Sequence, residues 1–423
     1  MSWLLIIPLM IVCLFLNIRV YLAMFIGIIA YFLFVSSVPI EIAVQRLIAP
    51  TQSPSLLAIP FFILLGTLMS YTGIAERILH IANVLVGKMR GGLGVANILV
   101  STMMGGVSAS NLADAAMLSR MMVPEMERKG YNRAFAAAIT AGGSLVTPII
   151  PPGIALIIYG LVADVSIGKM FIAGLVPGLL CAVVLMFTVY LVARKTNAKP
   201  SRESWPTGKE VVFSLGQAWP ALFLIFAVVG GIRANIFTPT EAGAVAVLIV
   251  LAIGFFIYRE MRISHVVKAL GETARATASV MLVIMASAAL GWIFSMEHAG
   301  VAVANFVTSL TENKYMFLLI INILLLTLGM FLEGNAILLI LVPLLKPVVE
   351  HFGIDPVHFG IIMIFNLSIG AFTPPVGTVM LLVCNITQVS VGNFFKQSLP
   401  LLAALLLMLM LVTYIPAISL FLV

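Results

Sequence analysis

Two short stretches hold the residues of this chain best placed to do chemistry. Thr147-Pro148-Ile149-Ile150-Pro151-Pro152-Gly153 and Thr373-Pro374-Pro375-Val376-Gly377 each interrupt a long apolar run. Proline lacks a backbone N–H and clashes with the turn before it, so each stretch leaves carbonyl oxygens unpaired. Those carbonyls, with the hydroxyls of Ser144, Thr147 and Thr373 nearby, form an all-oxygen donor set suited to a hard cation such as sodium.

Two other interruptions offer complementary groups. Gly105-Gly106-Val107-Ser108-Ala109-Ser110-Asn111 breaks the apolar stretch 93–123, with Asp114 one turn beyond, and Glu333-Gly334-Asn335 breaks the stretch 315–345. If each stretch folds back on itself, arms of roughly 13 residues reach about 20 Å, past the midplane of a ~30 Å hydrocarbon core. Small polar side chains, open backbone and helix ends at one depth can hold a cation and an anion together. The expected substrate contacts are Ser108, Ser110, Asn111, Gly334, Asn335, Pro151 and Pro375. The expected sodium contacts are Ser108, Asn111, Asp114, Ser144, Thr147, Gly334, Asn335, Thr373 and Gly377.

A purely structural reading competes with each of these. Proline and glycine are frequent in membrane helices, where they permit kinks and close packing. For a single motif that reading would prevail; two interruptions at matching positions favour a transport site. Asp114 and Glu333 are acidic residues inside apolar stretches, which marks them as functional by default, although either could be a satisfied packing residue. Glu241, in Thr238-Pro239-Thr240-Glu241-Ala242-Gly243, stands at the start of a span and reads as a structural anchor.

What must position these groups is a membrane protein. The 423 residues are 62% hydrophobic and 9% charged, with a mean hydropathy of +1.18. A soluble chain carries about a quarter charged residues, so most of this surface must face lipid. The net charge of +7 lies in short loops between apolar segments, which argues against nucleic-acid binding. Trp3 to Leu16 lacks the basic start and cleavage site of a signal peptide and is expected to be a retained first helix. Cys13, Cys181 and Cys384 lie far apart in apolar surroundings, so neither a disulfide framework nor a zinc site is indicated. His351 and His358, the nearest histidine pair, are expected in a solvated loop, and no transition metal is expected. P-loop, GxSxG and HExxH motifs are absent from the sequence. A membrane-embedded hydrolase using Asp114 and Glu333 is the enzymatic rival; the surrounding Ser, Asn and Gly favour binding over proton transfer, so no catalytic residue is expected.

Segments of spanning length fall at 3–17, 20–38, 57–79, 133–160, 169–193, 215–232, 240–258, 277–296, 357–386 and 397–421. Amphipathic pieces lie at 39–49 and 261–275, and the most polar segment separates the two sets of five spans. The order repeats, and so do residues: Gly153, Ser166, Gly168 and Phe171 recur as Gly377, Ser390, Gly392 and Phe395, each 224 positions on. If 93–123 and 315–345 are re-entrant hairpins, each repeat makes five crossings, and an odd number inverts the second copy. Loops at 19, 77–90, 120–133, 194–209, 259–275 and 396 then hold 18 of the 23 Lys and Arg. Arg46, Lys169, Arg233, Lys314 and Lys346 remain on the other side, which assigns the first set to the cytoplasm and both termini to the outside.

The expected fold is therefore an all-α polytopic membrane protein of two inverted repeats, with about ten transmembrane helices and two re-entrant helical hairpins. Residues 1–195 form the first repeat (hairpin 93–123, broken helix 133–160). A cytoplasmic basic linker, 196–214, leads to the second repeat, 215–423 (hairpin 315–345, broken helix 357–386).

At these residues the chain resembles the large membrane subunit of tripartite ATP-independent periplasmic (TRAP) transporters. The resemblance rests on Gly-Gly-Val-Ser-Ala-Ser-Asn-Leu-Ala-Asp at 105–114, the Thr-Pro and Pro-Pro-Gly break at 147–153, Thr-Pro-Thr-Glu-Ala-Gly-Ala at 238–244 and Thr-Pro-Pro-Val-Gly at 373–377. It covers essentially the whole chain. It implies sodium-coupled import of a carboxylate across the bacterial inner membrane, with a periplasmic binding protein delivering substrate. It also implies a small four-helix membrane subunit, expected here as a separate chain because this one starts at its own first span. An elevator motion of the hairpin-bearing part, in the manner of the wider ion transporter superfamily, is expected, with 39–49 and 261–275 as brace helices. Among branches of the family it looks most like sialic-acid importers; C4-dicarboxylates are the other common class. No intramembrane Arg marks a carboxylate clamp, since Arg120 lies near the cytoplasmic base. The alternative is a stand-alone carboxylate/sodium symporter or ion antiporter of inverted-repeat design.

Overall fold

The computed structural model describes residues 6–423 apart from 17, 37, 109, 195–198 and 203; at 15, 106–108 and 225 it describes the backbone alone. The described residues are helical, without strands. α1 (Ile6–Phe15), α2 (Val20–Phe34), α3 (Glu41–Ile48), α4 (Ala58–Met69) and α5 (Ile74–Val86) lead to a paired α6 (Gly92–Ser108) and α7 (Asn111–Arg128). α8 (Arg133–Ser144) and α9 (Ile154–Ala163) flank the first Pro-rich break, and α10 (Ile167–Arg194) ends the first half. α11 (Gly208–Arg233), α12 (Pro239–Ala252), α13 (Ile263–Met296) and α14 (Ala299–Leu310) precede the second pair, α15 (Lys314–Phe331) and α16 (Gly334–His351). α17 (Pro356–Phe372) and α18 (Thr378–Thr387) flank the second break, followed by α19 (Val391–Tyr414) and a short α20 (Ala417–Leu420).

Seven of these helices are long and apolar enough to cross a membrane, or eight if one bent pair counts as a span. The expectation was about ten. The two numbers count different segments: the seven include the hairpin arms α15 and α16, while α2 has only 15 residues and each broken helix is divided into two segments that are individually too short.

Three boundaries differ from the sequence reading. The span expected at 57–79 ends at Met69, and a turn with Gly73 at φ +69° separates it from α5. Residues 299–310 form a helix of their own, directly before the second hairpin. The amphipathic piece 261–275 and the span 277–296 are not separate: α13 runs unbroken for 34 residues, about 50 Å at ~1.5 Å per residue. Its first-half counterpart, Glu41–Gln52 with Pro54–Met69, is bent by 62°. Pro50 and Pro54 account for the bend, since each removes a helical donor, whereas Ile263–Met296 contains no proline.

The first halves of both broken helices form the centre of the molecule. α8 is buried from Ala134 to Ser144 and α17 from Val357 to Phe372, as expected of helices apolar on every face. α7 and α19 pack on α8, while α15, α16 and α19 pack on α17. The second segments cross over: α18 packs on α7 and α8, and α9 packs on α16 and α17. Each hairpin therefore touches both broken helices. Arg133 Nε donates to the carbonyl of Thr387 at 2.8 Å, and the Tyr159 hydroxyl to that of Pro356 at 2.6 Å, tying each end of one broken helix to the other.

Positions 224 apart adopt matching local structure. Asp164 and Gln388 both end a helix in the left-handed region (φ 59° and 55°). Ser166 and Ser390 then cap the next helix, each accepting a backbone N–H three residues on at 3.4 Å. Buried asparagines fix the hairpin arms: Asn97 donates to Thr140 Oγ1 at 2.6 Å, and Asn366 donates to Asn322 Oδ1 at 2.7 Å. Such bonds contribute about 0.6 kcal/mol each in a membrane interior.

His358 is not in a solvated loop. Asp355 caps α17 by accepting from the N–H groups of Val357 and His358 at 2.8 and 3.0 Å, so the helix starts early enough to include the histidine. Its ring is buried, with Nδ1 2.6 Å from Ser419 Oγ and Nε2 3.3 Å from the Thr413 carbonyl. Glu241 does act as an anchor, in a capping box with Thr238.

Candidate substrate and cation site

The two hairpin tips meet because glycine lets their arms lie against the broken helices. A Cβ on Gly105 would stand 3.0 Å from Thr147 Cα, and one on Gly370 would stand 2.6 Å from the backbone of Gly329. Gly105 and Gly329 are themselves 224 positions apart. The second arm is also hydrogen-bonded to its break, with the Gly377 N–H donating to the Met330 carbonyl at 2.8 Å.

Between the tips lies a cavity of about 120 Å³. Ser110 and Asn111 line it from the first hairpin, Pro148 from the first break, Glu333, Gly334 and Asn335 from the second hairpin, and Thr378 from just after the second break. Ser368 completes its polar lining. Four of the seven expected substrate contacts are therefore together. Pro151 is buried and Pro375 exposed, and neither lines the cavity. The side chain of Ser108 lies outside the described residues.

Helix starts point into the same space. Ser110 caps α7, its hydroxyl accepting from the Ala113 N–H at 3.4 Å. Glu333 stands at the cap position of α16 without making a side-chain cap bond, so the first N–H groups of α16 remain open to a ligand.

Behind the first tip is a second, buried group of oxygens. Asp114 is 1% exposed and accepts a hydrogen bond from Thr147 Oγ1 at 3.3 Å. Among the described residues Asp114 Oδ1 has no hydrogen bond of ordinary geometry; the buried hydroxyl of Ser101, which has none either, stands within interaction distance of the carboxylate. Such orphaned oxygens are costly unless something compensates them, and a small cation does so directly. Ser144 instead donates to the Ala141 carbonyl at 2.8 Å, and Thr373 to that of Ile369 at 2.8 Å, so both hydroxyls are engaged within their own helices.

Sequence reasoning missed Ser101, Ser368 and Thr378. A signal for Ser368 was present, since it lies 224 positions beyond Ser144. Ser101 had none, because only the folded hairpin brings it to Asp114.

Residues 7–418 match the family model for the DctM component of tripartite ATP-independent periplasmic transporters. The chain is 38% identical over 397 residues to the sialic acid TRAP transporter large permease protein SiaM of Vibrio cholerae, covering 93% of this chain and 92% of the relative. It is also 38% identical over 379 residues to the C4-dicarboxylate TRAP transporter large permease protein DctM of Pseudomonas aeruginosa, covering 89% and 87%. In fold it is similar to the YdaH transporter of Alcanivorax borkumensis, with a TM-score of 0.61 at 14% identity over 90% of this chain and 89% of that one.

Proposed function

The chain belongs to the DctM family of large TRAP-transporter permeases, and on that premise we propose that it imports an organic acid across the bacterial inner membrane, driven by sodium. The observation that carries this reading is the single cavity shared by both halves. Asn111 and Pro148 come from the first half, and Gly334, Asn335 and Thr378 from the second. Interrupted helices are tolerated in a bilayer only against protein or a watery space, and a pair of them facing one cavity is the arrangement of a transport site.

In this reading the open N–H groups of α16 and the amide of Asn111 hold the carboxylate of the acid. Sodium travels with it, held by oxygens of the Asp114–Thr147–Ser101 group and by backbone carbonyls at the breaks. The relatives named for sialic acid and C4-dicarboxylates support carboxylates as the substrate class, with sialic acid the best single candidate. A periplasmic binding protein delivers the acid, and a small four-helix membrane subunit braces the permease. The hairpins and broken helices, packed around α8 and α17, move as one elevator body against α2, α4, α12 and α13.

The test is reconstitution of the permease with its small subunit and binding protein in liposomes. Uptake of the acid that requires both an inward sodium gradient and the binding protein is the expected result. Uptake indifferent to sodium removes the coupling. Uptake without the binding protein favours the stand-alone symporter instead.

A further inference from the structure

The cavity between the hairpin tips is lined by one charged residue, and it is an acid. Glu333 faces it together with Ser110, Asn111, Asn335, Ser368 and Thr378; no Lys, Arg or His is among the lining residues. An acid is an odd choice for a site that binds organic anions, unless it recognises something other than the carboxylate.

The hydrogen bonds already made inside the site show what each group has left to offer. Asn111 Oδ1 is occupied by the Leu112 N–H at 2.9 Å, so its amide hydrogens remain as donors. The first N–H groups of α16 are likewise donors. Ser368 has spent its proton on the Ile364 carbonyl at 2.8 Å, so it presents lone pairs. Glu333 Oε1 accepts from Asn335 Nδ2 at 3.0 Å, and among the described residues Oε2 has no partner. A carboxylate accepts and cannot donate. The cavity therefore offers donors, from Asn111 and the start of α16, and acceptors, from Glu333 and Ser368.

We propose that Glu333 selects the substrate: it accepts hydrogen bonds from hydroxyl groups on a monocarboxylate, so the cavity takes a hydroxylated acid and disfavours a dicarboxylate. This rests on the reading that the cavity binds the transported acid. One carboxylate takes up the donors. A second carboxylate would place acceptor against acceptor and negative charge against Glu333. Hydroxyl groups match the acceptors, because a site built to bind hydroxyls leaves its own groups unpaired when an analogue lacks them.

The experiment measures binding of four acids to the purified complex of this permease with its small subunit, in sodium, by isothermal titration calorimetry. N-Acetylneuraminate and gluconate represent hydroxylated monocarboxylates; propionate is the bare monocarboxylate and succinate the dicarboxylate. At least one hydroxylated acid binds about tenfold or more tighter than propionate and succinate. Glu333→Gln loses about tenfold for that acid and does not weaken propionate, so the preference collapses, while Glu333→Asp retains part of it. The wild-type comparison stands even if a variant fails to fold. Succinate binding as tightly as the hydroxylated acids overturns the proposal, as does an unchanged order of affinities in Glu333→Gln. A variant that alters only the sodium dependence makes Glu333 a cation ligand and overturns it too. If none of the four acids binds, the organic-acid reading itself fails and this inference with it.

Discussion

Thr147 Oγ1 donates a hydrogen bond to Asp114 Oδ2 across 3.3 Å, joining the first broken helix to the first hairpin one turn behind its tip. The bond satisfies one carboxylate oxygen, while among the described residues Oδ1 has no hydrogen bond of ordinary geometry and the Ser101 hydroxyl stands near the carboxylate. A cation there would also lock the hairpin to the break, which couples ion binding to the shape of the cavity in front. Asp114→Asn keeps the size of the side chain and removes its charge. The expected outcome is at least about a tenfold rise in the sodium concentration needed for half-maximal uptake, equivalent to ~1.4 kcal/mol. Thr147→Val should shift it the same way by less. Sodium titration of uptake in liposomes checks both, and an unchanged midpoint in Asp114→Asn would remove the carboxylate from the cation site.

The tips themselves give a second prediction. Asn111 and Asn335 line the cavity from opposite halves, and both lie at exposed or half-buried positions, not in the packed interior. Truncating either should therefore cost transport without costing stability. Asn111→Ala and Asn335→Ala are each expected to lower uptake about tenfold or more, the loss of a hydrogen bond to a charged group being ~1.5–3 kcal/mol. Expression and thermal midpoint in detergent should stay near wild type. Full transport in both variants would make the tips structural only.

How the site is held can be tested separately from what it binds. Gly370 lies so close to Gly329 that a methyl group at 370 would stand 2.6 Å from the facing backbone. Backbone cannot step aside as a flexible side chain can, so Gly370→Ala must push α15 off α17. Overpacking of this kind costs about 1–3 kcal/mol. A lowered thermal midpoint together with reduced uptake is the expected result. Gly392→Ala is the control: nothing lies within 4 Å of its added carbon, and it should be no less stable than wild type. Equal midpoints for the two variants would mean that the arm is free to shift.

The sequence announces its breaks because proline and glycine write backbone geometry directly. Pro148, Pro374 and the glycines 224 positions apart could be read without a structure, as could the serine caps of α10 and α19. What it conceals depends on long-range contact. Nothing near Ser101 predicts that its hydroxyl will stand beside Asp114, because Ser101 and Asp114 sit on opposite arms of a hairpin. His358 looked like a loop residue beside His351 until Asp355 was seen to start the helix. The amphipathic piece at 261–275 merges into α13 because no proline follows it, a difference that Pro50 and Pro54 mark plainly in the other half.

The charge pattern leads to the last prediction, which concerns orientation. Lys199 N–H donates to the Lys129 carbonyl at 2.9 Å, and Ser201 N–H to the Gly87 carbonyl at 2.9 Å. Three loops containing Lys88, Arg90, Arg128, Lys129, Lys199 and Arg202 are thus gathered at one end of the molecule. At the other end of the 28-residue α10, Lys169 shares a cavity with Arg233 and the chain's last residue, Val423. Positive charge is retained on the cytoplasmic side, so the gathered loops should face the cytoplasm and Val423 the periplasm. Alkaline phosphatase fused after Val423 is then expected to be active in cells, and a fluorescent protein that matures only in the cytoplasm should stay dark there. The same two reporters fused after Ser201, with the rest of the chain removed, should give the reverse. A dark phosphatase fusion at Val423 would place an even number of crossings between the linker and the end. In that case α15 and α16 would together make one crossing instead of entering and leaving on the same side.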